Sequence, residues 1–159
     1  MENTAIRLVF YEDCYREALY GFALGSEQEK FTASAYDAIQ TLDDPSRHLI
    51  IILAGNRPVG YFILHEGNGP LEIGSHDHAL LIRSLAINAA DQRKGYALEA
   101  MIRLSEFVRT NFTGVTELIL IVNHANFPAQ KLYQKAGFVD RGVRRQGKIG
   151  EQYVYHYFL

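Results

Sequence analysis

The chain has 159 residues, a length that fits one domain, and its 48% hydrophobic content, with ten tyrosines and nine phenylalanines, supplies an ample core and excludes a disordered polypeptide. Sixteen Lys and Arg against eighteen Asp and Glu give a net charge of −2, and no basic run exceeds Arg144-Arg145, which argues against a nucleic-acid binder.

Taken in order, Ala5–Phe10 is a short apolar run that reads as an edge strand. Tyr11-Glu12-Asp13 puts acids in the first turn of a helix that continues to about Leu24, with Ala18, Leu19, Phe22 and Ala23 as its apolar face and Gly25-Ser26 as its stop. A second helix is expected over Ser34–Thr41, ended by Asp43-Asp44-Pro45. Leu49–Ala54 and Val59–His65 are strands joined by a turn at Gly55-Asn56-Arg57-Pro58, so they read as a hairpin. Glu66–His78 is rich in Gly, Asp and His and reads as a long loop, the kind of segment that carries function.

Ala79–Asn88 is the central strand. Gly95–Asn111 is the strongest helix, with Ala97, Met101, Leu104 and Val108 on one face and Glu99, Arg103, Glu106 and Thr110 on the other. Val115–Val122 is a buried-type strand. Asn126–Ala136 is a short helix, capped by Asn126, tolerant of Pro128 in its first turn and stopped by Gly137. Strands over Val139–Arg145 and Glu151–Leu159, turned at Gln146–Gly150, close the chain. Strands and helices in this order predict a mixed α/β domain: one central, mostly antiparallel sheet of about six or seven strands, flanked by about four helices.

No apolar segment approaches the ~18 residues that span a bilayer, and the N-terminus lacks the basic start and apolar run of a signal peptide. Cys14 is the single cysteine, so no internal disulfide is expected, and its place on a helix reads as a small buried side chain. These features favour a soluble cytoplasmic protein, although a lone cysteine suits any compartment.

The most informative stretch is Leu80–Leu98, where the central strand runs through a polar loop into a helix. A helix N-terminus offers unpartnered N–H groups and the positive end of its dipole, a natural seat for phosphate. Gly95 and Ala97 are small enough for a diphosphate to approach the backbone, and Arg93 and Lys94 add positive charge. The residues alone therefore point to a grip on a phosphorylated cofactor.

Two motifs narrow this reading. Gln92, Gly95 and Ala97 fit a Gln/Arg-x-x-Gly-x-Gly/Ala signature between a strand and a long helix. Asn126, Ala129, Leu132, Tyr133, Gly137 and Phe138 fit an Asn-x-x-Ala-x-x-Leu-Tyr-x-x-x-Gly-Phe segment after the next strand. The first alone is weak, but the two in order and in context are specific. Over roughly Leu49–Leu159 the chain resembles the GNAT superfamily of N-acetyltransferases. The resemblance implies acetyl-CoA as co-substrate and no metal. It implies that Leu85, Ala86 and Ile87 pair with the pantetheine arm and that the backbone of Arg93, Lys94, Gly95, Tyr96, Ala97 and Leu98, introduced by Gln92, holds the pyrophosphate. Asn126 would contact the cofactor, and Tyr133 would be the general acid at the departing sulfur. The expected acceptor is a primary amine of a small molecule or peptide, attacked directly in a ternary complex. The alternatives are a protein N-terminal or lysine acetyltransferase and a non-catalytic acyl-CoA-binding module. Proteins of this resemblance are commonly homodimers; no nucleic-acid or membrane partner is implied.

Two departures stand out. Arg93 and Ala89 occupy positions where the family often has Gly and Pro. Leu81 occupies the position of a catalytic Glu found in several members, so the base is unassigned among Glu66, Glu72, His76, Asp77, His78 and water. Arg83 and Ser84 are polar positions in an apolar strand, read either as a strand-end ion pair or as acceptor recognition, for example of a carboxylate. His76 and His78 read as loop residues, with a substrate-facing role and metal ligation as the alternatives. Glu12, Asp13, Glu17, Glu27 and Glu29 form an acidic face that is either simply solvated or attractive to a cationic amine.

Overall fold

The computed structural model describes residues 5–25 and 32–159, so Ser26, Glu27 and Glu29 lie outside the described residues. Seven strands form one sheet in the order β1-β2-β3-β4-β5-β7-β6. They are β1 (Ile6–Phe10), β2 (Arg47–Ala54), β3 (Arg57–His65), β4 (Ala79–Ile87), β5 (Glu117–Asn123), β6 (Val139–Gly147) and β7 (Gly150–Phe158). All neighbours are antiparallel except β4 and β5, which run parallel. The helices are α1 (Arg16–Tyr20), α2 (Ala35–Gln40), α3 (Asn68–Glu72), α4 (Tyr96–Asn111) and α5 (Phe127–Lys135).

Strand alternation divides the core into two faces. Phe62, Leu64, Leu80, Ile82, Leu118 and Leu120 meet Met101, Leu104 and Val108 of α4 on one face, together with Tyr133 and Phe138. On the other, Leu49, Ile51, Tyr61 and Ile63 are covered by Leu19 of α1 and by Ala35 and Ala38 of α2. Ile73, just beyond α3, packs on Ala79, Leu81 and Ile119 of that second face.

Several expected boundaries shift, each for a physical reason. The first helix is a 3-10 turn over Asp13–Tyr15 followed by the five-residue α1. It stops at Gly21 because the next segment is tied elsewhere: Asn88 Oδ1 accepts from the Ala23 N–H at 3.0 Å, and the Ala89 N–H donates to the Ala23 carbonyl. Cys14 sits in the 3-10 turn and is exposed, not buried. The hairpin turn is only Gly55-Asn56; Arg57 and Pro58 belong to β3, where a bulge accommodates the proline. The Glu66–His78 segment contains α3, which closes over β3 because Gly69 has no side chain: a Cβ there would fall 2.5 Å from the His65 ring.

One irregularity positions the site. The β4–β5 ladder ends at Ile82 and Leu120, although both strands continue. Beyond that point Ser84 takes φ +60°, and the β3–β4 register slips between Ile63↔Arg83 and Tyr61↔Ala86. The extra β4 residue makes a bulge, which raises the local twist and bends β4 away from β5. The sheet therefore splits at its centre.

Candidate active site

The split opens beside the loop that joins β4 to α4. A cavity of about 300 Å³ lies there, lined by Ile87, the Asp91–Arg93 segment, the first turn of α4 from Gly95 to Leu98, and Leu132 of α5. The structure thus brings together most of the residues expected to hold the cofactor, together with Ile87 at the end of β4.

The loop is built from both ends. The Gln92 side chain donates from Nε2 to the Ile87 carbonyl at 3.1 Å, pinning the loop to the end of β4. That bond is a physical reason for an amide at the first position of the motif. Arg93 and Gly95 take φ +64° and +82°, turning their backbones through the left-handed region. Glycine enters that region freely, while other L-residues pay ~1–2 kcal/mol. The family's preference for Gly at the position of Arg93 therefore has a conformational cause, and Arg93 carries the strain instead. Nothing lies within 4 Å of the place where a Cβ on Gly95 would sit. The N–H groups of the first turn of α4 follow directly, with the dipole end they create. Open space beside unpartnered donors fits a diphosphate.

Asp91 was not singled out from the sequence, yet it braces the loop. It is 3% exposed, and both carboxylate oxygens lie 2.9 Å from Nη1 of Arg57 on β3. Lys94 Nζ approaches at 3.5 Å and Asn88 Nδ2 at 3.4 Å. Lys94 is thus partly engaged in neutralising Asp91, whereas the exposed Arg93 side chain forms no ion pair among the described residues.

From the other side of the split comes α5. Asn126 caps it, accepting from the Ala129 N–H at 3.3 Å. Sequence reasoning missed Asn123, whose buried side chain binds the Ala125 N–H and the Ile149 carbonyl and so fixes the β5–α5 junction. Tyr133 is 8% exposed, with the Phe138 ring 5.8 Å away at a steep angle. Its hydroxyl has no hydrogen-bond partner among the described residues, and burial raises the phenol pKa well above its ordinary value. The phenol therefore keeps its proton throughout the physiological range.

Across the sheet from α4, Arg83 is the first β4 residue beyond the last β4–β5 pair. It is half-buried and forms no ion pair among the described residues; Nη1 lies 3.2 Å from Nδ1 of His65. The strand-end ion pair expected as one reading of Arg83 is not what the structure contains. Ser84 supplies the bulge, and the Leu85 carbonyl accepts from Thr32 Oγ1 at 3.3 Å. Leu81 is buried against Ile119, so it leaves the base position apolar.

Of the acids and histidines proposed as base, only Glu72 has a charge that reaches both Arg83 and His65. His76 and His78 flank the opposite, closed end of β4. Leu85 is seven strand positions beyond His78, roughly 23 Å at ~3.3 Å per residue. His76 pairs with Glu117 at 2.8 Å, and Glu117 also binds His156. His78, Asp77 and Glu66 line a separate recess beside Phe10 and Phe112. The site in the split thus does not gather these residues. Among the described residues no cluster of three or more His, Cys, Asp or Glu could hold a metal ion, and no helix is long and apolar enough to cross a membrane.

Residues 10–138 match the acetyltransferase (GNAT) family. A curated relative, the uncharacterized N-acetyltransferase YbbJ of Bacillus subtilis strain 168, is 40% identical over 156 residues, covering 97% of this chain and 98% of that one. Among solved structures, the aminoglycoside acetyltransferase AAC(6')-Ib in complex with coenzyme A superposes with a TM-score of 0.78 at 19% identity, covering 97% of this chain and 95% of the other. A spermidine N-acetyltransferase from Vibrio cholerae, in complex with CoA and spermine, gives 0.71 at 17% identity over 96% and 95%.

Proposed function

The chain belongs to the GNAT family of acetyltransferases, and from that premise we propose that it transfers an acetyl group from acetyl-CoA directly onto a primary amine, with donor and acceptor held together. The observation that carries this reading is the split itself. A bulged β4, a loop with two left-handed residues and the first turn of α4 converge on one cavity.

Each half of the split has its own task. Acetyl-CoA supplies an activated thioester. The backbone from Arg93 to Leu98 holds its diphosphate, and Asn126 adds a contact from α5. The edge of β4 from Leu85 to Ile87 aligns the pantetheine arm as a neighbouring strand would, and an N–H there polarises the thioester carbonyl. Tyr133, protonated and dry, donates to the departing sulfur. An amine of pKa ~10.4 is only about one part in a thousand neutral at pH 7, a cost of roughly 4–5 kcal/mol. A base or water on the acceptor face must therefore take its proton, and Glu72 is the candidate best placed for it. Relatives of the fold act on aminoglycosides and spermidine, so small amines are the acceptors to test first.

The direct test is a thiol-release screen with acetyl-CoA over polyamines, aminoglycosides, amino acids and peptides. Release with at least one amine class, and acetylated amine as product, is expected. CoA binding without release from any amine would favour an acyl-CoA-binding module instead. Preference for long peptides would favour a protein acetyltransferase.

A further inference from the structure

We propose that the acceptor is an amine that also carries a carboxylate, bound by Arg83 on the face of the sheet opposite α4, with His65 as the positioning residue that presents the guanidinium. This rests on the transferase reading above and names the acceptor class for the same site.

Positive charge outnumbers negative on this part of the face: Arg47, Arg83 and Arg145 stand against Asp44 and Glu72. Asp44 is already committed: it accepts from the Ser46 N–H and hydroxyl at 2.9 and 2.7 Å and lies 3.8 Å from Arg47. Arg145 reaches across from β6, where Nη1 donates to the Glu72 carbonyl at 3.4 Å while its buried Nε has no hydrogen-bond partner among the described residues. Arg83 pairs with neither acid. A half-buried guanidinium without a direct ion-pair partner is costly, and burial together with Arg47 holds its pKa below the ordinary value against the opposing pull of Glu72. Such a group gains most from an anion that arrives with the substrate.

The His65 contact settles which nitrogen of Arg83 is engaged. A guanidinium only donates, so His65 Nδ1 accepts from Nη1 and the neutral ring carries its proton on Nε2. Burial, with Arg47 and Arg83 nearby, keeps the ring pKa low and the ring neutral. With Nδ1 taken by Arg83 and the proton on Nε2, the His65 ring has no free lone pair to act as a base and becomes a bracket, locked from above by the close approach of Gly69. The Nε–Nη2 edge of Arg83 makes no hydrogen bond among the described residues. That edge is the planar fork that matches the two oxygens of a carboxylate. Arg83 lies two positions before Leu85, so an anion held there places an amine of the same small molecule near the end of β4.

The test compares amino acids with their methyl esters, with the matching decarboxylated amines, with phosphoethanolamine and with spermidine, using the full-length protein and acetyl-CoA. The free acids are expected to show kcat/KM roughly 10- to 100-fold above the esters, expressed mainly in KM. Arg83→Gln should collapse that ratio to near one, with Arg83→Lys intermediate, while CoA affinity stays within about twofold and reports an intact fold. His65→Asn should raise KM for the acids more than for the esters. Equal loss on acids and esters in Arg83→Gln, or a wild-type preference for spermidine or phosphoethanolamine, overturns the proposal and leaves the transferase reading standing. Thiol release with none of these or any other amine overturns both.

Discussion

The two sides of the split differ in how their residues are held. On the α4 side the site is made of backbone. Left-handed residues at Arg93 and Gly95, a first helical turn and a strand edge present N–H groups whose positions follow from short stretches of chain. On the opposite face the proposed acceptor site is made of side chains brought from afar: Arg83 from β4, His65 from β3, Glu72 from α3 and Arg145 from β6. A backbone grip tolerates changes of side chain and suits a donor common to a whole family. A side-chain cluster changes with single substitutions and suits an acceptor that differs between members. Donor and acceptor recognition should therefore be separable by mutation.

The largest expected effect is on the backbone side. Gly95→Val places a branched side chain at φ +82° and fills the space beside the first turn of α4. Strain of ~1–2 kcal/mol together with the lost approach should weaken CoA binding about 10- to 100-fold by titration calorimetry, on a protein with near-native circular dichroism. Unchanged affinity would remove the backbone from the grip.

Asp91→Asn comes next. It leaves Arg57 and Lys94 facing an amide, and should lower stability by about 1–3 kcal/mol, or several degrees in Tm, with a parallel loss of CoA affinity. Loss of stability with full CoA affinity would show that the brace does not shape the loop.

A smaller effect belongs to the other face. His65 is held neutral when folded, whereas an unfolded histidine titrates near ~6.5. As pH falls below that value the unfolded chain takes up a proton that the folded chain refuses, so stability drops toward the folded pKa and levels off below it. Denaturant titrations between pH 5 and 7 should show this slope, and His65→Asn should flatten it; an equal slope in both proteins would place the titration elsewhere.

The smallest effect is Arg93→Gly. Relief of left-handed strain should offset the added freedom of the unfolded chain and change stability by no more than about 1 kcal/mol. CoA affinity should hold within about twofold. A tenfold loss would put the Arg93 side chain itself on the phosphates.

The same difference explains what the sequence disclosed. Gln92, Gly95, Asn126 and Gly137 are readable because each answers a local need: a loop pin, a left-handed turn, a cap and a stop at φ +101°. The two hairpins, β2–β3 and β6–β7, are legible from their turn residues, whereas the place of β7 between β5 and β6 and the parallel run of β4 and β5 are not. Asp91 and Arg57 escaped notice because their pairing spans 34 positions and no local pattern records it. His65 looked like an ordinary strand end, and only α3 closing through Gly69 makes it a bracket. Glu66–His78 hid that helix because five residues rich in Gly and Pro carry no helical period. His76 was legible as polar but not as the partner of Glu117, which lies on another strand.

Tyr133 is proposed to perform chemistry inside a donor site that the backbone holds without it. The most direct measurement is the CoA dissociation constant and kcat of Tyr133→Phe, with kcat followed from pH 6 to 10 in the wild type. Expected are an affinity within about twofold, a kcat at least ~100-fold lower, and no alkaline loss from the phenol in the wild type, because burial holds its pKa above that range. A kcat equal to wild type, or a loss of affinity as large as the loss of turnover, would contradict it.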